Sequence, residues 1–388
     1  MFTREEIELW EEKNLSPLAM KSRFSKGRRH REKEHPYRSV YQRDRDRIVH
    51  SAAFRRLEYK TQVFIYHEGD YYRTRLTHTL EVSQISRTIA KALKLNEDLV
   101  EAISLAHDVG HTPFGHAVEE TLNRLTEEEG GFNHNIQGLR VVDELERKYP
   151  NFRGLNLSWE TREGIIRHNP KDNTKHFKEA KEFYQYYQPT LETQLMDIAD
   201  EIAYDSHDLD DGIKSGMIKE NNLRKIALWK HIAKTIAKSY SNLDKKLKVY
   251  LAIRNLINLQ VTDLIKSTTT KIKKMSIKNI NDVRNCEERI VSFSPSLQDD
   301  KKELRNFLYE TLYCHWRVLR MSNKAKRFIE RLFTIYVNNP HILPPSFRKI
   351  VKKDKKNLKR IVCDFIAGMT DRYALEEYKK LFDPNEKI

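Results

Sequence analysis

The stretch from Tyr72 to His116 limits the fold of this chain more than any other. His78, Val82, Ile85, Ile89 and Leu93 recur at steps of three and four, which marks one face of a helix. Asn96 then offers an N-cap, with Glu97 and Asp98 in the first turn of a second helix that runs through Leu99, Ile103 and Leu105 to His107. Gly110 and Pro113 break it. Neighbouring side chains on a helix diverge by about 100°, so His107 and Asp108 can reach one ion only at a helix end or a bend. Gly110 supplies that bend. If the two helices pack antiparallel, His78 faces the same point.

Helical periodicity continues through residues 134–149, 189–214, 221–239, 243–267, 303–337 and 356–382. Strand-like alternation is scarce, and Gln62-Val63-Phe64-Ile65-Tyr66 is the best candidate for a short hairpin strand. No repeat occurs at solenoid periods. The expected fold is all-α. Residues 1–35 read as a basic N-terminal arm, in which Lys21 to Arg31 form a mobile solvated run or, alternatively, a phosphate-contacting one. Residues 36–214 form the core, 215–355 a Lys-rich helical lobe with no readable motif, and 356–388 a C-terminal helical segment.

The apolar share of 39% and charged share of 33% suit a soluble globular protein with a real core. No apolar run approaches the ~20 residues needed to cross a bilayer. The N-terminus lacks the apolar core of a signal peptide, so the expected location is the cytoplasm. Cys286, Cys314 and Cys363 lie far apart, without CxxC spacing. That excludes a thiolate zinc site or a disulfide framework, and leaves His and carboxylates to hold any metal. The net charge of +15 favours polyanionic partners.

His78, His107 and Asp108 would give nitrogen and oxygen donors and leave positions open, as a catalytic metal requires. A fourth ligand should come from a distant carboxylate. Asp200, Tyr204 and Asp208 recur at steps of four and share a helix face, while Asp197 and Asp205 compete with Asp200. Spacing alone does not choose among them. Five histidines fall between positions 78 and 134, namely 78, 107, 111, 116 and 134, which strengthens the reading of a metal centre with its catalytic shell. Such a donor set accepts one divalent ion per subunit, Mg²⁺ or Mn²⁺ first, with Fe²⁺, Co²⁺, Ni²⁺ and Zn²⁺ within its range.

The pattern His78, His107-Asp108, Asp200 resembles the HD-domain phosphohydrolases. The surrounding text is more specific. Gln42-Arg43-Asp44-Arg45-Asp46-Arg47-Ile48, Phe54-Arg55-Arg56-Leu57, Lys60-Thr61-Gln62-Val63-Phe64, Arg73-Thr74-Arg75-Leu76-Thr77-His78, Gly130-Gly131-Phe132-Asn133-His134-Asn135 and Ile366-Ala367-Gly368-Met369-Thr370-Asp371-Arg372-Tyr373-Ala374 are similar to the bacterial deoxyguanosine triphosphate triphosphohydrolases and their dGTPase-like relatives. The likeness is dense over 40–140 and 190–212, returns at 361–383, and is thin between about 215 and 355.

This resemblance implies hydrolysis of dNTPs at the α-phosphorus, giving a deoxynucleoside and intact triphosphate. It implies that His78, His107, Asp108 and Asp200 hold the metal, and it selects Asp200 over Asp197 and Asp205. Tyr204 would then pack beneath the deoxyribose and exclude a 2′-hydroxyl. Asp208 and Gln62 would bond the 3′-hydroxyl, with Val63 beside Gln62, and Arg75 would contact the phosphates. His111, His116, Glu119 and His134 match the catalytic shell. The C-terminal segment would complete the nucleotide site. The family also implies a homo-oligomer, hexameric in form, with a dNTP effector or single-stranded DNA on a basic surface. One departure stands out: related SAM- and HD-domain dNTPases carry Lys after the metal Asp, where this chain has Glu201, so another basic residue must supply that phosphate contact.

The chemistry matches these residue types. A dNTP carries about four negative charges that must be neutralised for attack at phosphorus. Arg75 offers a fixed charged fork suited to phosphate. The 5′-oxygen leaves poorly, so a general acid is needed, and a histidine suits that task. His116 is assigned that role, with Glu119 orienting it or holding the attacking water, and with His111 and His134 lining the phosphate path. Two other readings compete: a different HD-type nucleotide phosphodiesterase or nucleotidase, and a nucleic-acid-binding protein with a vestigial site. Tyr204, Asp208 and Gln62 argue against the first, and the intact metal positions against the second.

Overall fold

Capped helices make up nearly all the regular structure. The computed structural model describes residues 2–62, 72–169, 174–240 and 242–387. Among these residues no sheet forms, and strand-type pairing is confined to the bridges Arg28–Ser158, Thr61–Thr74 and Arg147–Gly154. The fold is all-α, as the periodicity predicts. No helix among the described residues is long and apolar enough to cross a membrane.

In chain order the helices are α1 (Arg4–Asn14), α2 (Val40–Val49), α3 (Ala52–Arg56), α4 (Arg75–Ala92), α5 (Glu97–Ala106), α6 (His116–Leu125), α7 (His134–Arg140), α8 (Trp159–Arg167) and α9 (Leu191–Lys214). They continue with α10 (Glu220–Leu223), α11 (Ala227–Ser239), α12 (Lys245–Lys274), α13 (Ile280–Arg284), α14 (Pro295–Leu308), α15 (Trp316–Asn338), α16 (Pro345–Lys353), α17 (Leu358–Ala367) and α18 (Asp371–Phe382). Side-chain caps set the ends that matter for the site. The Thr74 hydroxyl accepts from the Thr77 amide and starts α4, and Asn96 accepts from the Leu99 amide at 3.2 Å and starts α5.

Three predicted helices are divided. The stretch 221–239 breaks between α10 and α11, where Leu223 and Ile226 both turn into the core. The stretch 303–337 divides into α14 and α15 around a wide turn at Tyr309–Tyr313. The stretch 356–382 divides at Gly368, with Thr370 capping α18. In the predicted strand, Gln62 is described and lies outside any strand, while Val63 to Tyr66 fall outside the described residues.

The basic run is pinned at a few points while most of it stays at the surface: Arg23, Phe24, Lys26, Arg29, His30 and Arg31 are exposed, as the solvated reading expects. Leu18, Ala19 and Met20 are buried. The Lys26 ammonium sits over the Trp159 ring at 3.9 Å. Arg28 is buried against Asp44 at 2.5 Å, so its charge is neutralised inside the protein and not offered to phosphate.

Three apolar clusters meet around the candidate site. Val82, Ile85 and Ile89 of α4 pack with Leu99 and Ile103 of α5, Leu195, Ala199 and Ile202 of α9, and the lobe helices. Ala102, Leu105 and Val109 pack with Ile136, Leu139 and Ile165. Phe114, Val118 and Leu122 of the α6 region pack instead against Ile329, Phe333, Val362 and Ile366 of α15 and α17. The α4–α5–α9 side and the α6 side of the site therefore rest on different cores.

Candidate active site

Helices α4, α5 and α9 bring His78, His107 and Asp200 together, with one potential ligand atom from each lying within 4.8 Å of the others. His78 Nε2 lies 2.8 Å from Asp200 Oδ1. His107 Nε2 lies 3.3 Å from Asp108 Oδ1 and 3.7 Å from Asp200 Oδ1. The Ser104 carbonyl lies 2.7 Å from His107 Nδ1 and accepts its proton, which leaves Nε2 as a bare lone pair. That Nε2 is buried and has no hydrogen-bond partner. A buried lone pair facing two carboxylates is the environment a cation satisfies. Asp200 is also the open edge of the group, with 32% of its side chain exposed.

Electrostatics hold the charges in place. Burial opposes the Asp108 charge, but His107, Arg75 and His111 around it keep the carboxyl well below its ordinary range. Burial opposes the Asp200 charge too, and the His78 hydrogen bond and nearby His107 lower it. Burial works against a charged His78, yet Asp200 raises its imidazole above the ordinary value. Arg75 Nη1 donates to Asp108 Oδ2 at 3.0 Å, and Arg75 Nε has no partner.

His111, Glu119 and His134 form a second cluster with ligand atoms within 4.8 Å. The His111 and His134 rings stack nearly parallel, with centroids 4.1 Å apart and planes 20° apart. A histidine holds its metal in the ring plane at about 2 Å, and two stacked rings share no such point. This cluster is a hydrogen-bonded proton network. Glu119 Oε1 accepts from the His134 amide and pairs with His134 Nδ1, each at 2.9 Å, while Oε2 lies 3.2 Å from His116 Nδ1. Burial opposes its charge, but His134 and His116 hold the Glu119 carboxyl well below the usual range. Burial, with Arg75 and His134 adding repulsion, pushes His111 far below its ordinary value and keeps it neutral. The His116 side chain is 69% exposed and so presented to the open side.

The turn that delivers His116 is backbone-driven. Phe114 at φ +59° and Gly115 at φ +68° reverse the chain into α6, and a Cβ on Gly115 would lie 3.4 Å from Arg75 Nη2.

Beyond Asp200, the same face of α9 carries Tyr204 and Asp208. Asp208 is buried, which pushes its carboxyl up to about 7, and it accepts a hydrogen bond from the Tyr313 hydroxyl. The Tyr313 ring stacks on Tyr204 with centroids 5.8 Å apart. Gln62 presents a buried, unpartnered Oε1. Val63 lies outside the described residues. The adjoining face of α9 is spoken for: Asp197 pairs with Arg289, Glu201 with Arg305 at 2.6 Å, and Asp205 with Lys301 at 2.5 Å and Arg305 at 3.0 Å. Of the three carboxylates that spacing left open, Asp200 alone stands with the histidines.

The motif reading missed His168, Tyr313 and Arg305. His168 is buried 5.7 Å from the His107 ring and 5.8 Å from the His134 ring. Burial and the nearby His107 bring it down to about 3, so it is neutral. A lone histidine at the end of α8 carries no spacing signal. Tyr313 and Arg305 come from the stretch with no readable motif.

Comparison with known proteins places this geometry. The HD domain matches residues 75–205, and the phosphohydrolase-associated domain matches residues 291–380. The deoxyguanosinetriphosphate triphosphohydrolase-like protein of Geobacter sulfurreducens is 48% identical over 100% of both chains. Its namesake in Geobacter metallireducens is 48% identical over 97% of both, and that of Ralstonia nicotianae 46% identical over 96% of this chain and 95% of its own.

Proposed function

Because the chain belongs to the deoxyguanosinetriphosphate triphosphohydrolase-like proteins of the HD-domain phosphohydrolases, we propose that it hydrolyses dNTPs at the α-phosphorus to deoxynucleoside and triphosphate. The observation that carries this reading is the open row on α9. Asp200 joins the histidines, and Tyr204 and Asp208 follow it at one-turn steps on the same face, which sets an aromatic ring and then a carboxyl beside the place where a phosphate would meet the histidines.

HD domains bind divalent metals, and the grouped His78, His107 and Asp200 would hold one here, with Asp108, whose Oδ1 lies 3.3 Å from His107 Nε2, as the fourth ligand and Mg²⁺ or Mn²⁺ as the ion. When bound, the ion supplies positive charge at the phosphate oxygens and an acidified water. The rest falls to the chain itself. Arg75, tethered to Asp108, points its remaining donors at the phosphates. Arg305 is held by both Glu201 and Asp205 on the lobe side of α9, so its charge is already met there and Arg75 is the basic residue beside the histidines. Glu119 accepts from His116 Nδ1 and so fixes the ring that protonates the leaving 5′-oxygen. His111, kept neutral by burial, and His134 line the phosphate path. Tyr204 lies under the deoxyribose, and Asp208 and Gln62 bond the 3′-hydroxyl, with Tyr313 closing over Asp208. The same reading includes a cytoplasmic homo-oligomer, hexameric by resemblance, with a dNTP or single-stranded DNA as effector on its basic surface.

The test is incubation with each dNTP and NTP, with Mg²⁺ or Mn²⁺, followed by identification of the phosphate product. Triphosphate plus deoxynucleoside is expected. Nucleoside monophosphate plus pyrophosphate, or diphosphate plus phosphate, overturns the reading.

A further inference from the structure

Asp371 is the first residue of α18, at the far end of the chain, and is 3% exposed. Its Oδ2 accepts from the Thr61 amide at 2.8 Å and from the Thr61 hydroxyl, and its Oδ1 accepts from the Phe114 amide at 2.8 Å. Thr61 adjoins Gln62. Phe114 adjoins Gly115, which opens the helix of His116 and Glu119. One carboxylate thus ties the segment of Thr61 to the loop of Phe114.

Buried Lys60 spans the same gap from the opposite side. Its ammonium donates to the His111 carbonyl at 2.5 Å and to the Ala367 carbonyl at 3.0 Å. The Lys60 carbonyl in turn accepts from the Arg75 amide at 3.2 Å. Phe114 sits at φ +59°, a conformation that a bulky residue keeps only where its surroundings enforce it. The Asp371 bond to its amide is such an enforcement, and it acts on the residue that sets the direction of α6.

We propose that Asp371 is a positioning residue: it locks the segment of Gln62 and the loop of His111 and His116 to one shared anchor on α18. The C-terminal helix then fixes the separation between the sugar-binding end of the site and its proton donor. The proposal rests on the dNTPase reading for the roles of those residues, but not for the anchor itself.

The test compares full-length Asp371→Ala, Asp371→Asn and Thr61→Val with the unaltered protein, by hydrogen exchange and by steady-state kinetics. In Asp371→Ala, peptides covering residues 57–62 and 110–120 should exchange faster together, while peptides from α9 and α12 stay unchanged. With dNTP, kcat should fall by about 100-fold, as for a displaced catalytic group. Thr61→Val removes the hydroxyl bond alone, and should raise KM a few-fold with kcat nearly kept. Faster exchange spread evenly over the chain, or kcat retained in folded Asp371→Ala, overturns the proposal. If Asp371→Ala does not fold, Asp371→Asn carries the same exchange test, since its amide group cannot accept both the Thr61 and Phe114 protons. If the unaltered protein turns over no dNTP, the functional reading fails while the exchange data still decide the anchor.

Discussion

Two rows of polar residues run side by side along α9 and do opposite work. Asp200 faces the histidines at the open edge, and Tyr204 and Asp208 follow it beneath Tyr313. Asp197, Glu201 and Asp205 face the lobe and are each met by an arginine or lysine. The helix is the same and the residue types overlap. What differs is the cation across the gap. A covalently tethered ammonium or guanidinium makes a carboxylate part of the scaffold. A gap lined by imidazole lone pairs leaves space for a cation that can come and go.

The sharpest way to break this contrast is to delete one member of each row. Asp200→Ala should remove bound metal and nearly all turnover, with helicity and the unfolding midpoint little changed. Asp205→Ala should keep the metal but strand the Lys301 ammonium in the core, at a cost of about 3–5 kcal/mol in denaturant unfolding. Metal analysis by mass spectrometry beside urea titration checks both, and metal loss in Asp205→Ala alone would reverse the two rows.

A smaller effect comes from the start of the same helix. Glu192 is held chiefly by backbone amides, with Arg284 a weaker influence. It accepts from the Met20 amide at 2.9 Å and the Asn96 amide at 3.1 Å, and burial pushes it up to about 7 from 4.5. Its folded value is raised, so the stability it contributes is full below pH 4.5 and is lost as pH rises toward 7. Glu192→Gln should flatten that loss and gain up to about 3 kcal/mol at neutral pH. Unfolding free energies from pH 4 to 8 measure it, and an unchanged slope would show that burial on α9 carries no such penalty.

The smallest expected effect lies on the open row itself. Tyr204→Ala should narrow the preference for dNTP over NTP by roughly tenfold, through weaker dNTP binding and admission of the 2′-hydroxyl. Paired kcat/KM values for dATP and ATP read it out. An unchanged ratio would remove Tyr204 from sugar selection.

The sequence made legible what is local. The stripe from His78 to Leu93, the Asn96 cap and the break at Gly110 define α4, α5 and the bend between them through contacts a few residues apart. Whatever depends on distant partners stayed hidden. The tethers of Lys26 and Arg28 within the otherwise exposed basic run stayed hidden because Trp159 and Asp44 lie 133 and 16 residues away. Asp197 and Asp205 could not be told from Asp200 because Arg289, Lys301 and Arg305 come from the stretch with no motif. His168 joined the histidine cluster only when α8 packed against α5 and α7.

The bond from His107 to the Ser104 carbonyl has a consequence for how the site fills. The Ser104 carbonyl holds His107 by Nδ1 and so turns Nε2 toward Asp108 and Asp200. His78 is different, since Asp200 favours its protonated form. A divalent ion held here would have to displace the proton that Asp200 favours on His78. Acidic surroundings would tilt that contest toward the proton.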